Sequence, residues 1–316
     1  MASSENPSID ENLTEKPESN LILLVNRDSK YENDDNYDAM RSDLEDISVN
    51  IDNGREEENE LFSKEMEEQT KKRNLVLMEI WNSEVQYYKG LIILEEAFMK
   101  PLKNCLNTPQ EIINSKTLKV IFSNLEPILS LTGELLVDLN NRLFYCKEKT
   151  FSKNLDVLES KIFVQFEEFL NNIKKSESKE EIKLGDIFCN MAPFFKIYST
   201  YSMNFNKAIQ TVSFEIEHNI NFKNFIQDQI LQEKDILKDL SFQSYLILPV
   251  QRITRYKMLL EDLLNKTTKK QEDFSLLSRS FGIASEMALF VNESIRQNEM
   301  FLKMFDIQRN LNNLNE

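Results

Sequence analysis

From Lys71 onward, apolar residues recur at three- and four-residue steps, the spacing that lines one face of an α-helix. Leu77, Ile80, Trp81, Tyr88 and Leu91 make the first such stripe, on a helix predicted over 71–100, with Pro101 at its expected stop. "TPQE" at 108–111 has the form of a capping box, with Thr108 as N-cap, Pro109 at the first helical position and Glu111 at the third. Helical periodicity then runs to about Lys147, in one piece or two, and again over roughly 155–173. The lysine- and glutamate-rich "KKSESKEEIK" reads as an exposed loop. Further helices are predicted at about 186–213, 221–240, 242–267 and 271–306. Period-2 alternation of useful length is missing, so the predicted fold class is all-α, an elongated helical bundle.

Composition agrees. Five glycines and seven prolines in 316 residues leave few turn formers, as long helices require. The net charge of −15 is uneven: residues 1–70 hold 21 acidic and 6 basic side chains, leaving 32 of each sign in 71–316. Residues 1–70 therefore read as an acidic disordered tail, 71–306 as the helical domain and 307–316 as a short C-terminal tail. A neutral body with an acidic arm does not suit nucleic acid, which selects basic stripes. Cys105, Cys146 and Cys189 lack metal spacing and read as buried thiols of a cytoplasmic protein. The start is polar, and "LILLV" at 21–25 is too short to cross a bilayer, so no stable membrane insertion is expected.

Much chemistry is excluded. His218 is the single histidine, which removes multi-histidine metal sites and disfavours nucleophile–histidine catalysis. Glycines at 54, 90, 133, 185 and 282 cannot build a phosphate-cradling loop. No catalytic residue, metal ligand or cofactor is expected.

The stretch "SYLILPVQRITRYKMLLEDLLNKT" at 244–267 holds the most information. On a helical wheel, Leu246, Pro249, Ile253, Tyr256, Leu260, Leu263 and Leu264 form an unbroken apolar stripe. Roughly opposite lie Ile247, Gln251, Thr254, Arg255, Met258 and Asp262. This mixture on a water-facing side reads equally as scattered exposed hydrophobes or as a partner surface, where Arg and Met are enriched. Pro249 demands a kink or a helix start at 245–249. Arg252 lies between the two faces, without an assigned role, and the effect of Lys257 on the helix path stays open.

"LPVQRITRYKMLLEDLLNKT" resembles the signature helix of the Dbl-homology (DH) domain, the exchange module for Rho-family GTPases. Four further blocks resemble the family in order: "KKRNLVLMEIWNSEVQYYKGL" (71–91), "IFSNLEPILSLTGELLVDL" (121–139), "LGDIFCNMAPFFKIYSTYSMNFNKA" (184–208) and "VNESIR" (291–296). The resemblance implies a DH fold and a guanine nucleotide exchange factor acting by differential binding, without covalent chemistry. It implies a GTPase-binding set of Glu79, Ile247, Gln251, Thr254, Arg255, Met258 and Asn292. Glu79 would contact switch 1, and Arg255 and Asn292 switch 2. Glu84 falls inside the apolar stripe of the first helix, whereas Glu79 points away from it. Ile247 leans toward a Rac-like partner.

Several positions depart from the family pattern. Lys257 replaces a common proline, Thr132 stands where histidine is frequent, and the connection over 148–184 is long. After a last helix ending near Asp306, ten residues remain, too few for a pleckstrin-homology (PH) domain. Either a PH-containing or other partner then supplies transient membrane recruitment, or the chain is a DH-only protein or a piece of a longer one. Two rival functions stay open: a DH-fold adaptor that binds a GTPase without exchange, and a helical membrane or coiled-coil scaffold. The acidic tail reads as a solubilising arm or as an autoinhibitory segment whose Tyr31 and Tyr37 could be phosphorylated.

Overall fold

The computed structural model of the chain describes residues 34–144, 150–154, 164, 181–232 and 241–313. The run predicted at 155–173 and its adjoining loop fall almost wholly outside them, as do Cys146 and residues 1–33. The chain divides into two units, Met1–Glu65 and Met66–Glu316.

The first helix, α1, is Asp34–Ile93. Residues 34–70, expected to be disordered, are therefore helical, and the predicted start at 71 is corrected. Glu, Lys, Leu and Met in "REEENELFSKEMEEQTKK" are good helix formers whatever their polarity. The Glu68–Lys72 pair at 2.7 Å adds one-turn support.

The chain then passes through a π-helical turn, Leu94–Met99, into α2 (Lys100–Asn104) without stopping at Pro101. Proline has no N–H and clashes with the carbonyl four residues back. The widened turn, in which the Lys100 N–H donates to Glu95 O, makes room for it. "TPQE" makes local bonds, with Thr108 Oγ1 accepting from Gln110 N at 3.2 Å and Glu111 Oε2 from Asn107 N at 2.7 Å, each one residue away from the reciprocal pair of a capping box. It closes a turn and not a helix. The real N-cap is Asn114, whose Oδ1 accepts from Lys116 N and Thr117 N at 3.0 and 2.9 Å and opens α3 (Ser115–Phe122). Ser123, at φ 48°, separates α3 from α4 (Leu125–Phe144).

The remaining elements are α5 (Gly185–Met191), a 3₁₀ turn (Ala192–Phe195), α6 (Lys196–His218), α7 (Ile220–Gln232), α8 (Phe242–Leu246), α9 (Leu248–Asn265) and α10 (Phe274–Asn313). No strand occurs among the described residues, and the all-α expectation holds. The α1 stripe of Leu77, Ile80, Trp81, Tyr88 and Leu91 is fully inside. Trp81 meets Phe144 of α4 edge-on at 5.0 Å, and Tyr256 of α9 stacks on Phe195 at 5.7 Å. His218 is exposed and stacks on Phe214 at 4.3 Å. Cys105 and Cys189 are free but only half-buried, less sheltered than expected.

Phe274–Gln297 of α10 is long and apolar enough to cross a bilayer. Leu277, Ser280, Ala284, Ala288 and Val291 turn inward at helical spacing, while Arg279, Glu286 and Glu293 face out, as a bundle helix requires.

One polar clamp ties the two ends of the domain together. Arg73 of α1 donates to Thr267 Oγ1 at 3.0 Å and to Asp273 Oδ2 at 3.1 Å. The buried Asp273 also accepts from the N–H groups of Leu184 and Gly185, both at 2.9 Å, so one carboxylate anchors the entry to α5. A Cβ on Gly185 would lie 2.6 Å from Leu276 Cβ and 2.7 Å from Leu277 N. We expect Gly185→Ala to lose about 1–3 kcal/mol through overpacking, measured by urea denaturation. An unchanged midpoint would refute the clamp's tight closure.

Candidate functional site

Pro249 marks a helix start, as its chemistry demands. Helix α8 ends at Leu246, Ile247 caps α9, and Pro249 sits in the first turn, where its missing N–H costs nothing. Gly90 allows this junction to close on α1, since a Cβ there would meet Leu248 Cδ1 at 2.4 Å. Helix α9 continues unbroken through Lys257 to Asn265.

Below the surface, α9 is bolted to α1 by an ion pair. Arg252 donates to Glu84 Oε2 and, through both terminal nitrogens, to Ser83 Oγ at 3.2 and 3.1 Å. The Tyr256 hydroxyl donates to Glu84 Oε1 at 2.8 Å. The guanidinium lies 5.0 Å from the Tyr87 ring centre and 4.5 Å from that of Tyr256. Such contacts suit a flat, weakly hydrated cation. Arg252 is 5 % exposed and Glu84 is fully buried. Burial pushes the Glu84 carboxyl up, while Arg252 and the Tyr256 hydroxyl pull it down. Burial also raises the Tyr87, Tyr198 and Tyr256 hydroxyls, which stay protonated.

Above this layer opens a cleft of about 510 Å³, lined from α1 by Ser83, Gln86 and Tyr87 and from α9 by Gln251, Arg252, Thr254, Arg255 and Met258, with Leu248 at one end. Gln251, Thr254 and Met258 are exposed. Arg255 reaches across to Glu79, with Nη2 donating to Oε1 at 2.7 Å. Both partners are open to water, 43 % and 51 % exposed.

Of the residues singled out in the sequence, Glu79, Gln251, Thr254, Arg255 and Met258 come together at the α1–α9 seam. Ile247 stands at the start of α9, half-buried against the core. Asn292 is exposed on α10 and does not line the cleft. Sequence reasoning missed the direct Glu79–Arg255 contact and the burial of Arg252. The signal for Arg252 was its place beside the apolar stripe, four residues before Tyr256. Among the described residues no cluster of metal-ligating side chains forms.

The sequence profile of the RhoGEF domain family matches residues 76–292. Rac guanine nucleotide exchange factor B of Dictyostelium discoideum is 29% identical over 245 residues, covering 77% of this chain and 20% of that protein. The linker-DH/PH domains of p115-RhoGEF superpose with a TM-score of 0.58 at 20% identity, covering 77% of this chain and 62% of that one. The DH/PH domains of PDZ-RhoGEF, solved in complex with GTP-gamma-S activated RhoA, superpose with a TM-score of 0.55 at 16% identity, covering 73% and 56%. The chain spans about a fifth or less of the length of the first curated relatives it matches.

Arg252→Met should destabilise the fold by about 3–5 kcal/mol, because it leaves a buried carboxylate uncompensated. Glu84→Leu combined with Arg252→Met should recover most of that loss in chemical denaturation. A double variant no better than Arg252→Met would show that the ion pair is not the source of the penalty.

Proposed function

The chain belongs to the RhoGEF domain family, and on that premise we propose that it binds a Rho-family small GTPase and promotes release of its bound GDP. The observation that carries this reading is the α1–α9 seam, where five of the seven residues expected to meet a GTPase stand on one face. The surface combines exposed Met258 with Gln251, Thr254 and a charge of each sign, the mixed composition of a protein-binding patch. The names of the Rac exchange factors among its relatives, together with Ile247, favour a Rac-like partner.

Exchange needs no bond to this protein. A surface that binds the nucleotide-free GTPase more tightly than the loaded form lowers nucleotide affinity by the same factor, by linkage. Glu79 and Arg255 suit the task. An exposed ion pair is worth about 0–1 kcal/mol, so the partner's own charged groups can replace it at small cost. Glu79 would engage switch 1 and Arg255 switch 2, with Asn292 on α10 extending the contact. We place the protein in the cytoplasm, recruited to membranes by a partner.

Release of fluorescent GDP from a panel of Rho-family proteins tests the proposal. Acceleration is expected for at least one member, and binding without acceleration would favour an adaptor. For the responsive GTPase, Glu79→Ala should slow release on the order of thirtyfold, about 2 kcal/mol of a desolvated contact. Its thermal stability should stay within about 1 kcal/mol, as for a surface pair. An unaltered rate would remove Glu79 from the interface.

The role of the acidic N-terminal stretch is tested in the same assay by deleting residues 1–70. Autoinhibition requires faster release on deletion; an unchanged rate leaves a solubilising arm.

A further inference from the structure

A second cavity, sharing no residue with the α1–α9 cleft, opens between α3 and α6. It measures about 330 Å³ and is lined by Ser115, Lys116, Lys119, Val120, Asn204 and Lys207. Three ammonium groups border it and no carboxylate does. Two other clefts on the domain carry acids of their own, Glu111 and Asp228 in one, Asp138 and Asp186 in the other. Some lysines of the domain are matched to carboxylates, with Lys100–Glu96 at 2.5 Å, Lys103–Glu126 at 2.8 Å and Lys153–Glu95 at 2.8 Å. Among the described residues no carboxylate pairs with Lys116, Lys119 or Lys207.

The walls are fixed to each other. Asn204 Nδ2 donates to Ser123 Oγ at 3.1 Å, and Asn124 Nδ2 donates to Ile197 O at 2.8 Å, so the end of α3 is stitched to α6 at two points. Ser123 is held at φ 48° in a region that favours glycine, and its hydroxyl also donates to Asn124 Oδ1 at 3.2 Å. Lys116 and Lys119, one turn apart on α3, and Lys207 on α6 thus border one volume from both sides. Ser115 adds a hydroxyl, a donor to a phosphoryl oxygen. Like charges held together in this way repel one another, and a bound anion relieves that repulsion.

We propose that this cavity binds a small anion bearing two or more phosphoryl groups. Lysine is a compact, mobile point charge suited to phosphate. A volume near the lower limit of ligand pockets fits a pyrophosphate or a single phosphorylated headgroup and excludes a large ligand. The chemistry is shared by a soluble polyphosphate and by a polyphosphorylated lipid headgroup at a membrane.

The full chain should be titrated with inorganic pyrophosphate by calorimetry. It should also be sedimented with phosphatidylcholine vesicles containing or lacking phosphatidylinositol 4,5-bisphosphate. Binding in either arm is expected to weaken about fivefold per lysine removed in Lys116→Gln, Lys119→Gln and Lys207→Gln. Lys103→Gln, whose ammonium is already paired with Glu126 away from the cavity, serves as control and should bind as the parent does. Binding in solution identifies a soluble ligand, and binding confined to the phosphoinositide vesicles identifies a lipid headgroup. Absence of binding in both arms, or binding that survives the triple substitution, overturns the proposal. GDP-release activity is not a readout here, so failure of the exchange reading and failure of this one are distinguishable.

Discussion

A guanidinium and a carboxylate facing each other in a dry interior set the geometry of this domain. Arg252 and Glu84, 168 residues apart in sequence, are each almost inaccessible to water, with Tyr87 and Tyr256 against the guanidinium. Neither charge could be buried alone, because desolvation costs several kcal/mol per ion. Once paired, they admit one rotation of α9 about its axis. With Arg252 and Tyr256 inside, one turn apart, Gln251, Arg255 and Met258 must face outward. The exposed α1–α9 seam is the reverse side of a buried electrostatic lock.

The core stripes were legible because helical periodicity is a local property. Leu77, Ile80, Trp81, Leu91, Ile253, Tyr256 and Leu260 are buried as their spacing implies. Pro249 was legible for the same reason, since its constraint lies in its own ring and missing N–H. The resemblance to a family added an expectation of which water-facing residues meet a partner, something periodicity could not supply. What remained hidden is non-local or depends on competing local choices. Arg252 gave no role because its partners lie in another helix. Residues 34–70 were misread because low hydrophobicity was taken as lack of structure, while helix propensity acts without a core. At "TPQE" the side-chain bonds go to Gln110 N and Asn107 N, not to the Glu111 and Thr108 N–H groups of a capping box, and no helix starts there.

Two arginine–carboxylate pairs join α1 to α9, and their burial separates their work. Arg252–Glu84 lies where the effective dielectric is low and both groups lack water as an alternative partner. Breaking it strands a charge, so it acts as scaffold. Arg255–Glu79, one turn along α9 and outside, has water on both groups. Its Coulomb gain is largely offset by solvation and side-chain entropy, so a protein partner bringing complementary charges can exchange with it at little cost. The strong pair lies in the dry interior and the weak pair where water already competes for both groups, and both follow from the depth at which one helix presents two arginines three residues apart.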